Sequence, residues 1–227
     1  MSSTGVRGPQ PKSARTQQRV LDAARRLFNE RGTAPVSTNH IAAAAGVSPG
    51  NLYYHFRDKR EIIRALHAEY AAAHDARWVS SADPGENLAR LAGNLVVGME
   101  LAWEYRFFER EILALLRADA ELQAEYRAVY ERRLDEWTAF GEHLVSQGLL
   151  RSPRPPRTVR DLAVAIWLLA QSWVPFLELA GDPTDPQQFA HGTELILVAL
   201  DPYLTAKGRR GLTRAAPLGA AATEQVG

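Results

Sequence analysis

Apolar residues recur along most of the chain at the three- and four-residue spacing of helices, and strand-like alternation is scarce. Val20, Ala24, Leu27 and Phe28 follow this spacing, so residues 16–31 are predicted to form an amphipathic helix. The same spacing continues to about residue 205. Polar, Gly-rich and Pro-rich stretches divide this region into separate helical segments. The pattern predicts an all-α protein.

Two short helices with a glycine between them follow the first helix. Ser37 and Gly46 bound a helix over Thr38–Ala45, because serine favours the N-cap and glycine favours the left-handed conformation after the last turn. Ser48 is a second N-cap, and the proline after it favours a third helix over Pro49–His55. Such a pair is a helix-turn-helix, whose second helix has dimensions that suit the major groove of DNA.

A capping signal starts the next helix. Asp58 and Glu61 have the spacing of a capping box, which predicts a fourth helix from Lys59 to about Val79. Further helices are predicted over 84–103, 105–117, 119–147, 158–180 and 186–205.

Charge is distributed unevenly. Residues 1–67 hold 11 Lys and Arg against 4 Asp and Glu, a net charge of +7, and the remaining residues 68–227 carry −6. This split suggests a small module aimed at a polyanion, attached to a body that is not. A chance arrangement of solvated charge is the alternative.

The two ends of the chain lack helical spacing. Residues 1–15 are predicted to be a flexible basic arm that carries Arg7, Lys12 and Arg15. Residues 207–227 are rich in Gly, Ala and Arg, and we expect a disordered tail there. The domain prediction is therefore an arm over 1–15, a helix-turn-helix domain over 16–66, a helical body over 67–206 and a tail over 207–227.

The sequence holds few signals for catalysis, metal binding or membrane insertion. It has no cysteine, no H-E-x-x-H, no G-x-S-x-G and no Gly-rich phosphate loop, so we expect no enzyme, no metal and no cofactor. His67 and His74 lie seven residues apart on one helical face. They could share a metal ion, but we expect them to be two ordinary surface histidines. The most apolar stretch, Leu162–Leu179, is interrupted by Gln171 and Pro175, so no membrane span and a cytoplasmic location are expected.

The outer face of the third helix carries hydrogen-bonding side chains between two basic stretches. A tyrosine hydroxyl or a histidine can donate to a phosphate oxygen, and the first turn of the fourth helix, with Lys59, presents unpaired amides to an anion. The alternative is that Tyr53 and Tyr54 pack against a neighbouring helix. The candidate set on the third helix comprises Gly50, Asn51, Tyr53, Tyr54 and His55.

The stretches TQQRVLDAARRLFNERG and VSTNHIAAAAGVSPGNLYYHFRDKREIIRAL resemble the DNA-binding domain of TetR-family transcriptional regulators over residues 16–66. The resemblance implies that Asn39 can reach a base and that Pro49, Gly50 and Tyr53 form the face that reads bases. It implies phosphate contacts from Thr38, Asn51, Tyr54, His55 and Lys59.

One departure from the family pattern affects base recognition. Pro49 and Gly50 have no polar side chain, so this helix offers few groups for bidentate contacts with bases. Choice of DNA sequence would then depend on Asn39, Tyr53, the basic arm in a minor groove, or DNA deformability.

For the body, the resemblance implies an effector-binding domain that dimerises through its last two helices. Residues 158–180 and 186–205 are the most apolar helices, and two copies of such a pair would form a four-helix bundle. The rival interpretation is that both helices form the core of a monomer.

Aromatic residues gather in the body and predict an apolar pocket for a lipophilic or planar effector. Ordinary core packing is the alternative for any one of them, and nearby charges at Glu104, Arg106, Glu109 and Glu111 either orient a ligand or face solvent. The candidate ligand-binding residues are Trp103, Phe107, Tyr130, Trp137, Trp167 and Trp173.

The sequence therefore favours a homodimeric DNA-binding regulator. We expect a repressor that binds double-stranded DNA at a near-palindromic operator and is released by a small-molecule effector. One alternative is a helical small-molecule binding protein or enzyme with a vestigial DNA-binding module. Another is an activator or a ligand-independent architectural regulator.

Overall fold

The computed structural model of the protein describes residues 12–75 and 77–215. Within these ranges the chain forms ten α-helices and one 3-10 turn, without a β-strand, which confirms the predicted all-α class. In chain order the elements are α1 (Lys12–Arg31), α2 (Thr38–Ala45), α3 (Pro49–His55), α4 (Lys59–His74), α5 (Pro84–Glu104), α6 (Arg106–Ala118), α7 (Ala120–Ser146), α8 (Val159–Ala180), α9 (Pro186–Leu200), the 3-10 turn (Asp201–Tyr203) and α10 (Ala206–Ala215).

The caps of α2 and α3 are formed as the sequence predicts. The Ser37 hydroxyl accepts a hydrogen bond from the His40 amide at 3.3 Å, and Gly46 ends α2 with φ of +63°. The Ser48 hydroxyl accepts from the Asn51 amide at 3.2 Å at the start of α3. Both helix boundaries are confirmed, because they depend on contacts within four residues.

Three other helices differ from the prediction at one end, and one of them is α9, which ends at Leu200 and not at residue 205 because Asp201–Tyr203 form a 3-10 turn. α1 begins four residues earlier, so Lys12 and Arg15 belong to this helix and not to an arm. α4 ends at His74, before the expected Val79. At its start Asp58 accepts from the Glu61 amide, but the Glu61 carboxylate accepts from the amide of Arg57 at 2.7 Å instead of closing the capping box.

The C-terminal region is more ordered than the sequence suggests. The expected tail is wrong over residues 207–215, which belong to α10 and pack on α5; the positions after 215 lie outside the described residues. Leu212 is buried there, and Arg209 pairs with Asp201 at 2.8 Å. A side chain at Gly208 would place its Cβ 2.1 Å from the carbonyl oxygen of Leu149, so glycine permits this close approach.

The hydrophobic core of the helix-turn-helix region extends beyond residue 66. It joins α1–α4 to side chains from α6, including Phe107, whose ring lies 5.3 Å from that of Phe28. A second core joins α5 and α7–α10. The first core therefore fixes the orientation of the helix-turn-helix relative to α6.

Polar contacts reinforce this joint. The Asn29 side chain donates to the Glu104 carbonyl at 2.8 Å and accepts from the Phe107 amide at 3.0 Å. The Glu111 carboxylate accepts from the Thr33 amide at 2.9 Å, and the Glu104 carboxylate pairs with Arg25. Glu104 and Glu111, two candidate ligand-orienting carboxylates, therefore hold the two regions together.

One described helix, α8, is long and apolar enough to cross a membrane by length and composition. Only 17% of its apolar window is buried in the chain. Its exposed apolar side chains, Leu168, Phe176 and Leu179, have the spacing of one helical face. Pro175 lies inside the same helix without ending it.

Substitution of Gly208 by alanine tests the packing of α10. Gly208→Ala is expected to lower the free energy of unfolding by about 1–3 kcal/mol, because the new Cβ displaces backbone. The matched control is Gly93→Ala on α5, where a Cβ meets no atom within 4 Å and should stabilise by about 0.5–1 kcal/mol. Urea unfolding at one protein concentration measures both, and equal stabilisation by the two substitutions would contradict the close approach.

Candidate functional site

The helix-turn-helix is held rigidly from within. Ile41 of α2 and Leu52 of α3 are fully buried beneath the turn. The Arg19 guanidinium of α1 donates to the carbonyl oxygens of Ala45 at 2.5 Å and Gly46 at 3.1 Å. These bonds satisfy carbonyls at the end of α2 and fix the turn to α1.

α3 presents an exposed polar face. The side chains of Tyr53 and Tyr54 are 50% and 81% exposed, so neither ring is buried against α1 or α4. The Tyr53 hydroxyl shares a hydrogen bond of 2.9 Å with the Thr38 hydroxyl, which places the start of α2 beside α3. We call the predicted DNA contacts on these two helices the reading surface; it comprises Thr38, Asn39, Pro49, Gly50, Asn51, Tyr53, Tyr54 and His55.

Two of the side chains predicted to contact phosphate, His55 and Lys59, also have partners within the fold. The half-exposed His55 ring lies edge-on to Tyr54, with 5.1 Å between ring centroids. The Lys59 ammonium donates to the carbonyl oxygens of Thr33 at 2.7 Å and Val36 at 3.0 Å. Lys59 therefore fastens the loop before α2 to the start of α4, and its contact with phosphate stays a prediction.

The basic arm is shorter than the sequence predicts, because α1 begins within it. Lys12 and Arg15, which were expected in it, belong to α1, and Arg7 lies outside the described residues. A minor-groove role for the arm therefore depends on residues before Lys12.

A second candidate site is a cavity in the helical body. Its wall comes from α4–α9, and it contains about 980 Å³ of atom-free space, part of which opens to solvent. Chemically informative side chains in the wall are His67, Tyr70, His74, Arg77, Trp78, Asn94, Phe108, Glu109, Tyr126, Tyr130, Arg133, Trp137, Trp167 and Gln171.

Three of the predicted ligand-binding residues, Tyr130, Trp137 and Trp167, line this cavity. The other three are placed elsewhere, so their assignment to the pocket wall is corrected. Phe107 fills the first core. The Trp103 ring packs edge-on to Phe189 at 5.0 Å, and the Trp173 indole donates to the Phe189 carbonyl at 3.0 Å.

α7 supplies a continuous stripe to the cavity wall. Tyr126, Tyr130, Arg133 and Trp137 follow one another at intervals of four, three and four residues, and all line the cavity. This spacing puts them on one helical face. The spacing is visible in the sequence. If the aromatic residues of α7 are assigned to a cavity wall, the same spacing assigns Arg133 to it as well.

A buried carboxyl group lies opposite this stripe. The Tyr70 hydroxyl of α4 donates to the Glu109 carboxyl of α6 at 2.8 Å. Burial raises the pKa of Glu109 to about 7, although the Tyr70 hydrogen bond and the charge of Arg133 act in the other direction. Burial also raises the pKa of Tyr70 well above its usual value. Glu109 is the one candidate carboxylate that faces the cavity.

The two histidines of α4 are not surface residues. His67 is 4% exposed and stacks on Phe108 with 5.2 Å between ring centroids. Burial, with the charge of Arg133, lowers the pKa of His67 to about 4 and that of His74 to about 3. Both are therefore neutral at pH 7. Among the described residues no cluster of three or more His, Asp or Glu side chains could hold a metal ion.

Some polar atoms of the cavity wall have no partner in the chain. They are buried Nε of Arg133, Nε1 of Trp137 and Nε2 of His74. Arg133 also donates through Nη2 to the Ala71 carbonyl at 2.9 Å. A buried polar atom without a partner costs about 1–3 kcal/mol, so a hydrogen-bond partner supplied from outside the chain would stabilise this part of the wall.

A smaller apolar chamber adjoins the cavity. Trp78 and Trp137 line both spaces, and their ring centroids lie 5.3 Å apart. Leu91, Phe140 and Leu144 form part of the wall of the second chamber. The two spaces together suit a ligand with one polar and one apolar end.

Comparison with known proteins covers both regions of the chain. The family described as "Bacterial regulatory proteins, tetR family" matches residues 20–66, and "Bacterial transcriptional repressor" of the TetR type matches residues 69–212. The regulator AcrR of Shigella flexneri is 41% identical over 61 residues, which are 27% of this chain and 28% of that protein. TtgR of Pseudomonas putida is 36% identical over 70 residues, 31% of this chain and 33% of TtgR.

The matched stretches thus span a third or less of these curated relatives. A solved structure covers far more of the chain. A TetR-family transcriptional regulator from Marinobacter aquaeolei VT8 is 30% identical with a TM-score of 0.75, over 88% of this chain and 97% of that one. Because the family matches include more than half of the chain and follow its helices, the protein belongs to the TetR family of bacterial transcriptional regulators.

Proposed function

We propose that the protein is a homodimeric transcriptional repressor that binds a near-palindromic operator and leaves it when a small effector fills the cavity. The exposed polar face of α3 on a rigid helix-turn-helix is the observation that carries this proposal. Relatives of the chain are transcriptional regulators, which favours regulation over catalysis. Operator binding also implies a cytoplasmic location.

The reading surface has dimensions suited to DNA. α3 has seven residues, a length of about 10 Å, which fits a major groove about 12 Å wide. Tyr54 projects furthest and has no hydrogen bond to the fold, so its hydroxyl is available to phosphate. Side chains that read bases are few, which gives Asn39 and Tyr53 the largest share of direct recognition.

The exposed apolar face of α8 supports dimerisation. Leu168, Phe176 and Leu179 are 51–87% exposed, and Val198 of α9 is 69% exposed. Pairing α8 and α9 with their copies would cover these side chains in a four-helix bundle. Such a dimer presents two reading surfaces, which must be about 34–36 Å apart to enter successive major grooves.

α4 supports a link between effector and operator. It begins four residues after α3 ends, and its second half contributes His67, Tyr70 and His74 to the cavity wall. An effector releases DNA when it binds the DNA-incompetent arrangement more tightly, and each 1.4 kcal/mol of this preference weakens DNA affinity about tenfold.

Tyr54→Phe tests the reading surface. Loss of a hydrogen bond to a charged phosphate costs about 1.5–3 kcal/mol, so affinity for operator DNA should fall at least about tenfold. Because the hydroxyl has no partner in the fold, stability should not change. The control is Tyr203→Phe in the 3-10 turn, and binding is measured by fluorescence anisotropy on an operator selected from random duplexes. Unchanged affinity for Tyr54→Phe excludes this contact.

Lys59→Met tests whether this lysine contacts phosphate. Loss of one charged contact per protomer should weaken binding to all duplexes and reduce the slope of log affinity against log salt by about one per contact. Lys207→Met is the control, since its ammonium also donates to a backbone carbonyl, that of Gln147, at 3.2 Å. If Lys59 only fastens its loop, both variants lose stability and neither changes the salt slope.

Leu168→Lys tests the dimer interface. A charge on the apolar face of α8 should raise the dimer dissociation constant by more than about tenfold, because pairing would bury it without a partner. Leu113→Lys on α6, where leucine is 67% exposed, is the control. Sedimentation at several micromolar concentrations separates monomer from dimer. Two variants with the same mass as the parent would exclude α8 from the interface.

A further inference from the structure

The chemistry of the cavity wall restricts what it can bind, and the following argument rests on the proposed function of the cavity as an effector site. Two of the unpartnered buried atoms, Arg133 Nε and Trp137 Nε1, are obligate donors. Arg133 is 8% exposed, so its guanidinium is almost fully removed from solvent. A ligand that satisfies these atoms must present acceptor atoms.

The two residues that carry these donors are neighbours on α7. Arg133 and Trp137 lie four residues apart on α7, about 6 Å along the helix axis, and line the same cavity. The side chains of residues at this spacing are neighbours on a helix surface. A carboxylate bound at this part of the wall would pair with the Arg133 guanidinium.

The charge of the cavity favours an anion. The titratable and charged groups facing it are His67, Tyr70 and His74 from α4, Arg77 after α4, Glu109 from α6, and Tyr126, Tyr130 and Arg133 from α7, with none from α5, α8 or α9. Two of these are guanidinium groups and one is a carboxyl. Burial raises the pKa of that carboxyl, Glu109, to about 7, and lowers the pKa of each histidine to 4 or below. The sum near pH 7 is positive.

The rest of the wall favours an aromatic body. The indole rings of Trp78 and Trp167 both pack on Trp137, each with 5.3 Å between ring centroids. Phe108 and Tyr126 continue the aromatic surface towards Glu109. An aromatic wall also attracts cations, but the two arginines oppose a cation in this cavity.

We propose that the cavity binds an aromatic organic acid, a planar apolar body whose carboxylate or phenolate oxygen pairs with the guanidinium of Arg133 beside the indole of Trp137. The apolar end of the ligand extends past Trp78 towards the second chamber. A protonated Glu109 adds a donor next to the anion, and Nε2 of His74 adds another in the tautomer that carries a proton there.

Three naphthalene probes of matched shape test this ligand class: 2-naphthoate, 2-naphthamide and 2-naphthylmethylammonium. Calorimetric titration of the full chain at pH 7, without DNA, should give an affinity for naphthoate at least about tenfold above that for the amide, and weakest binding for the ammonium. Equal affinities, a preference for the ammonium, or no binding of any probe up to about 1 mM overturns the proposal.

Arg133→Gln locates the anion. This variant should weaken naphthoate binding about tenfold or more and leave naphthamide within about threefold, since only the anion loses a charge partner. Arg127→Gln, an exposed position on the same helix, is the matched control. A folded Arg133→Gln that keeps the preference for naphthoate excludes the assigned contact.

A pH series gives an independent readout that does not require Arg133 to be changed. Naphthoate affinity should fall as pH rises from about 6 to about 8.5, because Glu109 loses the proton that favours a neighbouring anion; the amide should bind equally throughout. Glu109→Gln should abolish the dependence, and a dependence that persists in this variant contradicts the role of Glu109.

Release of operator DNA is measured in a separate experiment. An acid that binds the cavity without releasing DNA contradicts the proposed function but not the proposed ligand class.

Discussion

The packing of α6 against α1–α4 is the constraint on which the rest of the structure depends, and the hydrogen bond from Tyr70 to Glu109 is its buried polar part. Tyr70 belongs to α4, which begins four residues after α3 ends, and Glu109 belongs to α6, which packs into the core of the helix-turn-helix. A buried carboxyl is costly without a donor, and the tyrosine hydroxyl supplies one. The same pair forms part of the cavity wall, so any ligand that changes the charge near Glu109 acts on the contact between these helices.

One turn of α6 shows how closely the two sites are connected. Phe107 enters the core below α1, Phe108 stacks on a cavity histidine, and Glu109 faces the cavity itself. Arg110 then donates to carbonyl oxygens at the end of α1, and Glu111 binds the turn that follows. Because successive side chains of a rigid helix reach both places, a shift of α6 cannot be confined to one of them.

The sequence predicted the helix-turn-helix well because its determinants are local: Ser37, Gly46 and Ser48 each act within four residues. The cavity was harder to foresee. Trp103 and Trp173 were expected in it because they are aromatic, but both pack on Phe189 of α9, a tertiary contact that their own helices do not encode. Arg133 was missed because an arginine on a charged helix is expected to face solvent. α10 forms where local composition suggests a tail, since tertiary packing overrides weak propensity.

The core shared by Phe28 and Phe107 also limits how this protein can be recombined with its relatives. A hybrid joined after residue 66 would combine one parent's DNA-binding region with a foreign α6, and the two aromatic surfaces would no longer be matched in shape. A functional exchange must therefore carry α6 together with α1–α4, or replace both sides of the seam in concert. Sequence changes in the DNA-binding region and in the helical body are therefore coupled through this seam.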